Sequence, residues 1–533
     1  MRNLKFSMLA MCIIPYTLFS NNLKIDDILS AIYIKDDLSK KTKMENGGIS
    51  YIYTREDLRR MQAHTLNDIL KSTYPFGYNE NRFGLPDPKY NGSFLPFSSS
   101  NIRVYIDDQE MTNGLYGSGI IIYGDMDIDF VDHIEVYSGN PTFEYSTEPA
   151  FTIIKLYSKV AQKDEGNKIS FAVGSRGTTY AYGYTTKELD NGWSYFTYAS
   201  RFDKHREKYE NEQANLSRDS DTKHFFGSIY NDNNKILIDA ILQDRDTFIS
   251  NSIFATPKIS NANIKYFHLG YNSKYDNFSY ILAADQYGGD SDFVDNNILY
   301  IKNLNTTKSL SIPYDGSVDF DSQSYTAGIK YCINKASNKF LTGIKYRYKH
   351  FNFNDLSLND KQQPKNKHTS QSISTIFMED SFSLDTNKII TAGFTYADVK
   401  NNHSNQDDDL FSYRMGYTYT NKNLISKSII SHIATTVDPY LVNNSLYLEY
   451  PNIKVPKTTQ DIFMQDFKYS KRKNFYELIA SYIIIQNQLL PNNNGKLETY
   501  REKLNMKSLL FRYTKEYTHF VSSSYIFVKV EEN

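Results

Sequence analysis

Ile102-Arg-Val-Tyr-Ile-Asp-Asp108 is followed by a Gly-rich connection, then by Val131-Asp-His-Ile-Glu-Val-Tyr-Ser-Gly-Asn-Pro141 and by Thr152-Ile-Ile-Lys-Leu-Tyr-Ser-Lys159. These three short runs, rich in β-branched and aromatic residues and separated by turn residues, predict a small sheet. After Lys159 the sequence changes to long Tyr-rich segments with a period of two. A compact α+β unit therefore stands ahead of a large β region.

Upstream, Ile49-Ser-Tyr-Ile-Tyr53 alternates as a strand. Thr54-Arg-Glu-Asp57 follows as a helix start in which Thr54 can cap and Asp57 favours the positive helix end. Thr65-Leu-Asn-Asp68 repeats that arrangement before Ile69 and Leu70.

The order of these blocks resembles the plug domain of TonB-dependent outer-membrane receptors. There, "I-T-x-x-D-L…(T/S)-L-x-D-L-L" precedes an "IDG" strand, then "hydrophobic-E-x-I-E-hydrophobic-x-x-G-P" and an "INI-x-T-K" strand. The matching residues here are Val104 to Asp108, Phe130 to Gly139 and Ile153 to Lys159. The chain departs from the pattern at Asp108, where the family has Gly. It departs again at Asn140, which intervenes before Pro141, and at Thr147 to Phe151, which replace a small, Gly-rich run. The resemblance implies an N-terminal α+β plug (46–159) inside a membrane all-β barrel (160–533), with a TonB-type energising protein as periplasmic partner.

Composition agrees with a membrane wall. The net charge of -1 excludes the basic excess of a nucleic-acid binder. With 45 Tyr and 33 Phe but only 40% hydrophobic residues, the chain suits a wall whose residues face lipid and water alternately. Residues 1–20 have the layout of a secretory signal peptide: Arg2 and Lys5, an apolar segment from Phe6 to Phe19, and the small Ser20. That segment is shorter than the ~20 residues of a helical span, and no later run approaches this length. Cys12 lies in it, so Cys332 is the one cysteine expected in the mature protein and no internal disulfide is available.

Residues 21–45 form a polar leader. Within it, Asp27, Ile28, Leu29, Ser30 and Ala31 loosely fit the acidic-apolar-apolar pattern of a TonB box, a segment that pairs with the partner's sheet edge. A flexible leader carrying a few aliphatic residues has the same composition. Residues 74–100 are rich in Gly, Pro, Asn and aromatics. Tyr78, Arg82, Phe83 and Tyr90 are the ligand-binding candidates there, because Tyr and Phe offer apolar bodies and Arg a charge to a small-molecule metal chelate.

Beyond Lys159 eighteen candidate strands can be counted, against the family's twenty-two. Ile344, Tyr346 and Tyr348 alternate with Lys345, Arg347 and Lys349, and Tyr325 to Ile333 alternate in the same way, giving one face for lipid and one for the interior. The two segments near 278–286 and 297–302 are read as separate strands. Pro439-Tyr-Leu441 and Pro451 to Pro456 resemble a late barrel element that in relatives is followed by more wall, and the last residues, Glu531, Glu532 and Asn533, lack an aromatic terminus. A C-terminally shortened or divergent receptor is the resulting expectation, with a genuinely smaller barrel as the alternative.

No H-E-x-x-H, P-loop or Gly-x-Ser-x-Gly motif occurs. Asp407 to Asp409 near His403, and Asp290, Asp292 and Asp295, read as solvated acidic loops without metal-binding spacing. The expectation is an outer-membrane, Gram-negative receptor with no cofactor, no metal site, no enzymatic activity and no nucleic-acid partner. It sits in outer-membrane lipid and imports a scarce nutrient such as a ferric siderophore, haem or cobalamin. The alternative is a non-transporting binding or structural protein, or a degenerate receptor.

Overall fold

The computed structural model describes residues 48–532 with gaps, the longest being 78–88, 91–101, 248–255, 363–368 and 443–449. The signal segment, the candidate box Asp27–Ala31 and the candidates Tyr78, Arg82 and Phe83 lie outside the described residues.

The N-terminal unit is a five-stranded sheet. Its strands are β1 (Ile49–Tyr53), β2 (Ile102–Ile106), β3 (Gln109–Met111), β4 (Val131–Ser138) and β5 (Thr152–Ser158), in the spatial order β1-β4-β5-β2-β3. β2 and β5 run parallel, with Val104 opposite Ile154, and the other pairs are antiparallel. The three runs read from the sequence are thus β2, β4 and β5. β1 is followed by α1 (Arg55–Met61), capped by Thr54 through a box with Asp57, and by α2 (Leu66–Leu70), where Asp68 accepts from the Thr65 amide. Leu66, Ile69 and Leu70 join Val104, Ile134 and Ile154 in one core with residues of the wall. Burying each such side chain is worth about 1.5–3 kcal/mol.

Asp108, which stands where the resemblance calls for Gly, sits in a two-residue hairpin with Asp107, both with positive φ (48° and 72°). Asp tolerates this conformation better than most residues, and both side chains are tied down. The Asp107 carboxylate accepts from the Ser158 amide (2.9 Å) and from Lys235 (2.7 Å), and Asp108 meets Lys155 at 3.2 Å.

After the short helices α3 (Ile120–Tyr123) and α4 (Ala161–Asp164), seventeen long strands form the wall. They are β6 (Gly166–Val173), β7 (Thr179–Glu188), β8 (Ser194–Lys204), β9 (Ser220–Tyr230), β10 (Asn234–Thr247), β11 (Thr256–Tyr275), β12 (Phe278–Asn303), β13 (Thr306–Lys335), β14 (Asn338–Leu358) and β15 (Ser370–Asp385). They continue as β16 (Lys388–Asn401), β17 (Asp408–Asn421), β18 (Leu424–Thr435), β19 (Thr458–Lys471), β20 (Asn474–Gln486), β21 (Leu504–Glu516) and β22 (Val521–Glu532). Each pairs antiparallel with the next in sequence, and the strand order brings β22 round to β6 to make a barrel.

The count differs from eighteen at one place. The segments read as strands near 278–286 and 297–302 are one strand, β12, because residues 287–296 stay paired with β13. Asp290 and Asp292, expected in a loop, are therefore strand residues opposite Asp319 and Ser317, and Asp295 pairs with Tyr314. Cross-strand pairing there overrides the low strand propensity of Gly and Asp. Asp408 and Asp409 likewise open β17.

Faces alternate as the period of two requires. Along β15, Gln371, Ile373, Thr375 and Phe377 are buried while Ile376, Met378 and Phe382 are exposed on the outer surface. No helix among the described residues is long and apolar enough to cross a membrane; the wall is made of strands, whose backbone groups are satisfied by their neighbours.

Short turns (231–233, 276–277, 386–387, 472–473) alternate with longer connections (205–219, 359–369, 436–457, 487–503) at the opposite rim. β6 and β22, the first and last strands of the wall, both start at the short-turn rim. Both are unusually exposed. Ile169, Phe171 and Val173 on β6 are 74%, 79% and 82% exposed, and the neighbours Tyr525 and Ile526, on opposite faces of β22, are 64% and 66% exposed, against 47% for the outward-facing Ile376.

Candidate functional site

The plug meets the wall through charges removed from solvent, and the largest group of them centres on two carboxylates of the plug. Arg103 on β2 and Glu110 on β3 point to the same side, since the hairpin at Asp107 and Asp108 folds β3 back on β2. Glu148 reaches them from the segment that replaces the family's small, Gly-rich run. Arg347 of β14 donates to both oxygens of Glu110 (2.7 and 3.2 Å) and to Glu148 (3.0 Å), while Lys349 lies 2.7 Å from Glu148. Arg103 donates to Glu148 at 3.3 Å, and Tyr105 to Glu110 at 3.1 Å. Below them Lys330 pairs with the Glu144 carboxylate, and Lys345 donates to the Glu144 carbonyl at 2.7 Å.

Burial works to raise the pKa of Glu148, but the ammonium of Lys349 and the guanidiniums of Arg103 and Arg347 outweigh it and hold the carboxyl well below the usual range. Glu110 is lowered in the same way, burial being outweighed by Arg347 and Arg103. A cavity of about 30 Å³ lies among Glu110, Glu144, Lys330, Lys345 and Arg347. It has room for water but not for a chelate. Lys345, Arg347 and Lys349 do face the barrel interior, as their alternation predicts, yet the plug covers them.

A second contact uses Asp127. Its carboxylate accepts from Ser200 (2.8 Å), Tyr198 and Tyr180 and lies 3.6 Å from Nδ1 of His224, whose Nε2 is 2.9 Å from Asp239. Tyr123 of the plug donates to Asp239 at 2.8 Å. Nearby, Asp125 meets Lys204 at 2.9 Å. No local pattern signals these plug-to-wall partners, which lie between 53 and 116 residues apart along the chain.

The third contact holds the plug's first strand. Lys427 donates to the Gly48 carbonyl and Lys468 to that of Ser50, each at 3.1 Å, and Arg512 stacks 4.7 Å from the Tyr51 ring centre. Among the described residues β1 is an edge strand joined to the plug sheet by β4 alone, and it follows the leader in the chain. Of the ligand-binding candidates, only the backbone of Tyr90 is described; Lys89–Tyr90 pairs with Phe76–Gly77.

Residues 42–150 match the family described as the TonB-dependent Receptor Plug Domain. That segment is similar to the plug of this family. The fold of the chain is like that of solved receptors at low identity. The copper transporter OprC matches with a TM-score of 0.69 at 12% identity, covering 92% of this chain and 82% of that one. The ferric yersiniabactin uptake receptor FyuA from Yersinia pestis matches with a TM-score of 0.66 at 9% identity, covering 92% and 80%. The ferripyoverdine receptor of the outer membrane of Pseudomonas aeruginosa matches with a TM-score of 0.64 at 12% identity, covering 92% and 72%. Among curated proteins, none matches the chain by sequence. The α+β plug and the β wall that the sequence predicts are thus the fold these solved proteins share.

Proposed function

We propose that this receptor binds a scarce small ligand outside the cell, of the class of ferric siderophores, haem or cobalamin, and imports it when a TonB-type periplasmic protein pulls on the leader. The observation that carries the reading is the seating of the plug. Its carboxylates Glu110, Asp125 and Asp127 are buried and Glu148 is nearly so, each against a cation or histidine of the wall. Displacing the plug therefore breaks several shielded ion pairs at once.

Removing one partner from such a pair costs about 3–5 kcal/mol, beyond what thermal motion supplies for the set. An external pull on the leader enters at β1, an edge strand that can leave the sheet by losing its ladder to β4 alone. The solved neighbours that take up ferric yersiniabactin or bind ferripyoverdine support the ligand class. The candidate box Asp27–Ala31 precedes β1 and is placed in the chain to receive the partner by strand addition.

The test is uptake by cells expressing the wild type or Ile28→Pro, which removes a backbone donor from the candidate box. Import abolished by the substitution, with normal amounts of receptor in the outer membrane, is the expected result. Import of a ligand that is indifferent to Ile28→Pro and to loss of the TonB partner contradicts the reading and favours a non-transporting binding protein.

A further inference from the structure

The cations on β13 and β14 form a column. Lys330 stands opposite Gly343, Lys345 opposite Gly328, Arg347 opposite Thr326 and Lys349 opposite Ser324. These are successive inward rungs, two residues apart, so the column rises in steps of roughly 7 Å over about 20 Å of wall. On β13 the inward residues facing it are Gly328, Thr326 and Ser324, and beyond them stand Ile281, Ala283 and Asp285 of β12, while Ile373 and Phe377 of β15 flank it on the other side. The cavity of about 30 Å³ lies in this lane.

Each rung is met by a plug acceptor. The Glu144 carboxylate lies on Lys330, its carbonyl on Lys345, Glu110 on Arg347, and Glu148 on Arg347 and Lys349. Four wall cations are thus matched by three plug carboxylates, two of which, Glu110 and Glu148, also serve Arg103 of the plug. Withdrawing the plug leaves four cations inside the wall with their carboxylate partners gone, a costly state unless other anions replace them.

We propose that this column is an anion lane. Glu110, Glu144 and Glu148 occupy the positions that carboxylate- or phosphate-like groups of an anionic cargo take once the plug moves, and the cargo is handed along the rungs. The proposal rests on the import reading and narrows its ligand to complexes carrying exposed anionic groups. An anionic cargo offsets the loss of the plug's ion pairs, whereas a cationic one adds repulsion.

The test is calorimetric titration of formate into the full-length protein, folded in detergent, with the barrel checked by heat-dependent gel mobility. Combining Glu110→Ala, Glu144→Ala and Glu148→Ala removes the carboxylates and opens space beside the cations, and at low salt this variant is expected to bind formate at least tenfold more tightly than wild type. Adding Lys345→Gln and Arg347→Gln is expected to abolish the gain. Glu144→Ala alone, the mildest change, is expected to give a gain of about threefold and serves if the triple variant does not fold. No gain in either variant, or a gain that survives loss of Lys345 and Arg347, overturns the lane. A lane confirmed by titration while uptake ignores Ile28→Pro instead removes the energised-import reading and leaves the anion site standing.

Discussion

Glu148→Gln isolates the central joint between plug and wall. Glu148 faces three cations, Lys349 at 2.7 Å, Arg347 at 3.0 Å and Arg103 at 3.3 Å. At an effective dielectric of about 20, a charge pair at such a distance has a gross attraction of about 6 kcal/mol. Part of this only offsets the desolvation of the charges, and losing one member of a buried pair typically costs about 3–5 kcal/mol. Gln keeps an acceptor, and Arg347 keeps Glu110, so the lower end applies: about 3 kcal/mol, or roughly a hundredfold in the local opening equilibrium.

Hydrogen exchange followed by mass spectrometry reads this directly, with the segments 102–111 and 147–158 expected to lose about that factor of protection and β15 expected to stay unchanged. The pH dependence has a definite sign. The folded-state pKa of Glu148 is depressed, so its contribution is complete above the unfolded value and is lost as pH falls through the lower folded value. At neutral pH and somewhat below it the difference between wild type and variant is therefore constant, and it narrows only in stronger acid. Protection of 102–111 within threefold of wild type, or a loss shared equally by β15, refutes the reasoning.

Glu135 on β4 behaves in the opposite way. Burial raises its pKa despite Lys155 and the donors Tyr137 and Tyr157, so its contribution to plug stability falls as pH rises through the raised folded value, and Glu135→Gln is expected to slow exchange of β4 above that pH and not below it. Gly139 has φ +92° and a Cβ there meets Met464 Cε at 3.1 Å, so Gly139→Ala is expected to cost about 1–2 kcal/mol of plug stability by the same exchange assay. Ile376→Arg puts a charge on the outer face of β15 and is expected to cost about 2–4 kcal/mol when folding into lipid vesicles is measured; a cost near zero shows that this face does not meet lipid. In β6 and β22, amides are expected to exchange faster than those of β15, because both end strands are exposed on both faces.

The two-part architecture is legible in the chain without coordinates. The order of β2, β4 and β5, the capped helices after β1 and the period of two beyond Lys159 are local patterns, written in neighbouring residues. The same alternation places Lys345, Arg347 and Lys349 on the interior face, since a strand's period assigns sides regardless of what lies across from them.

What those faces meet depends on the assembled barrel. Asp290 and Asp292 read as loop residues because propensity is local, yet the pairing of β12 with β13 keeps them in a strand. Glu148 carries no signal as a site, standing out only as a departure from a Gly-rich run. Its role arises because the barrel brings Arg347, 199 residues further along the chain, to 3.0 Å from it, and Lys349 to 2.7 Å. Alternation specifies a side but not a partner, and a buried ion pair exists only once both charges have been removed from water together.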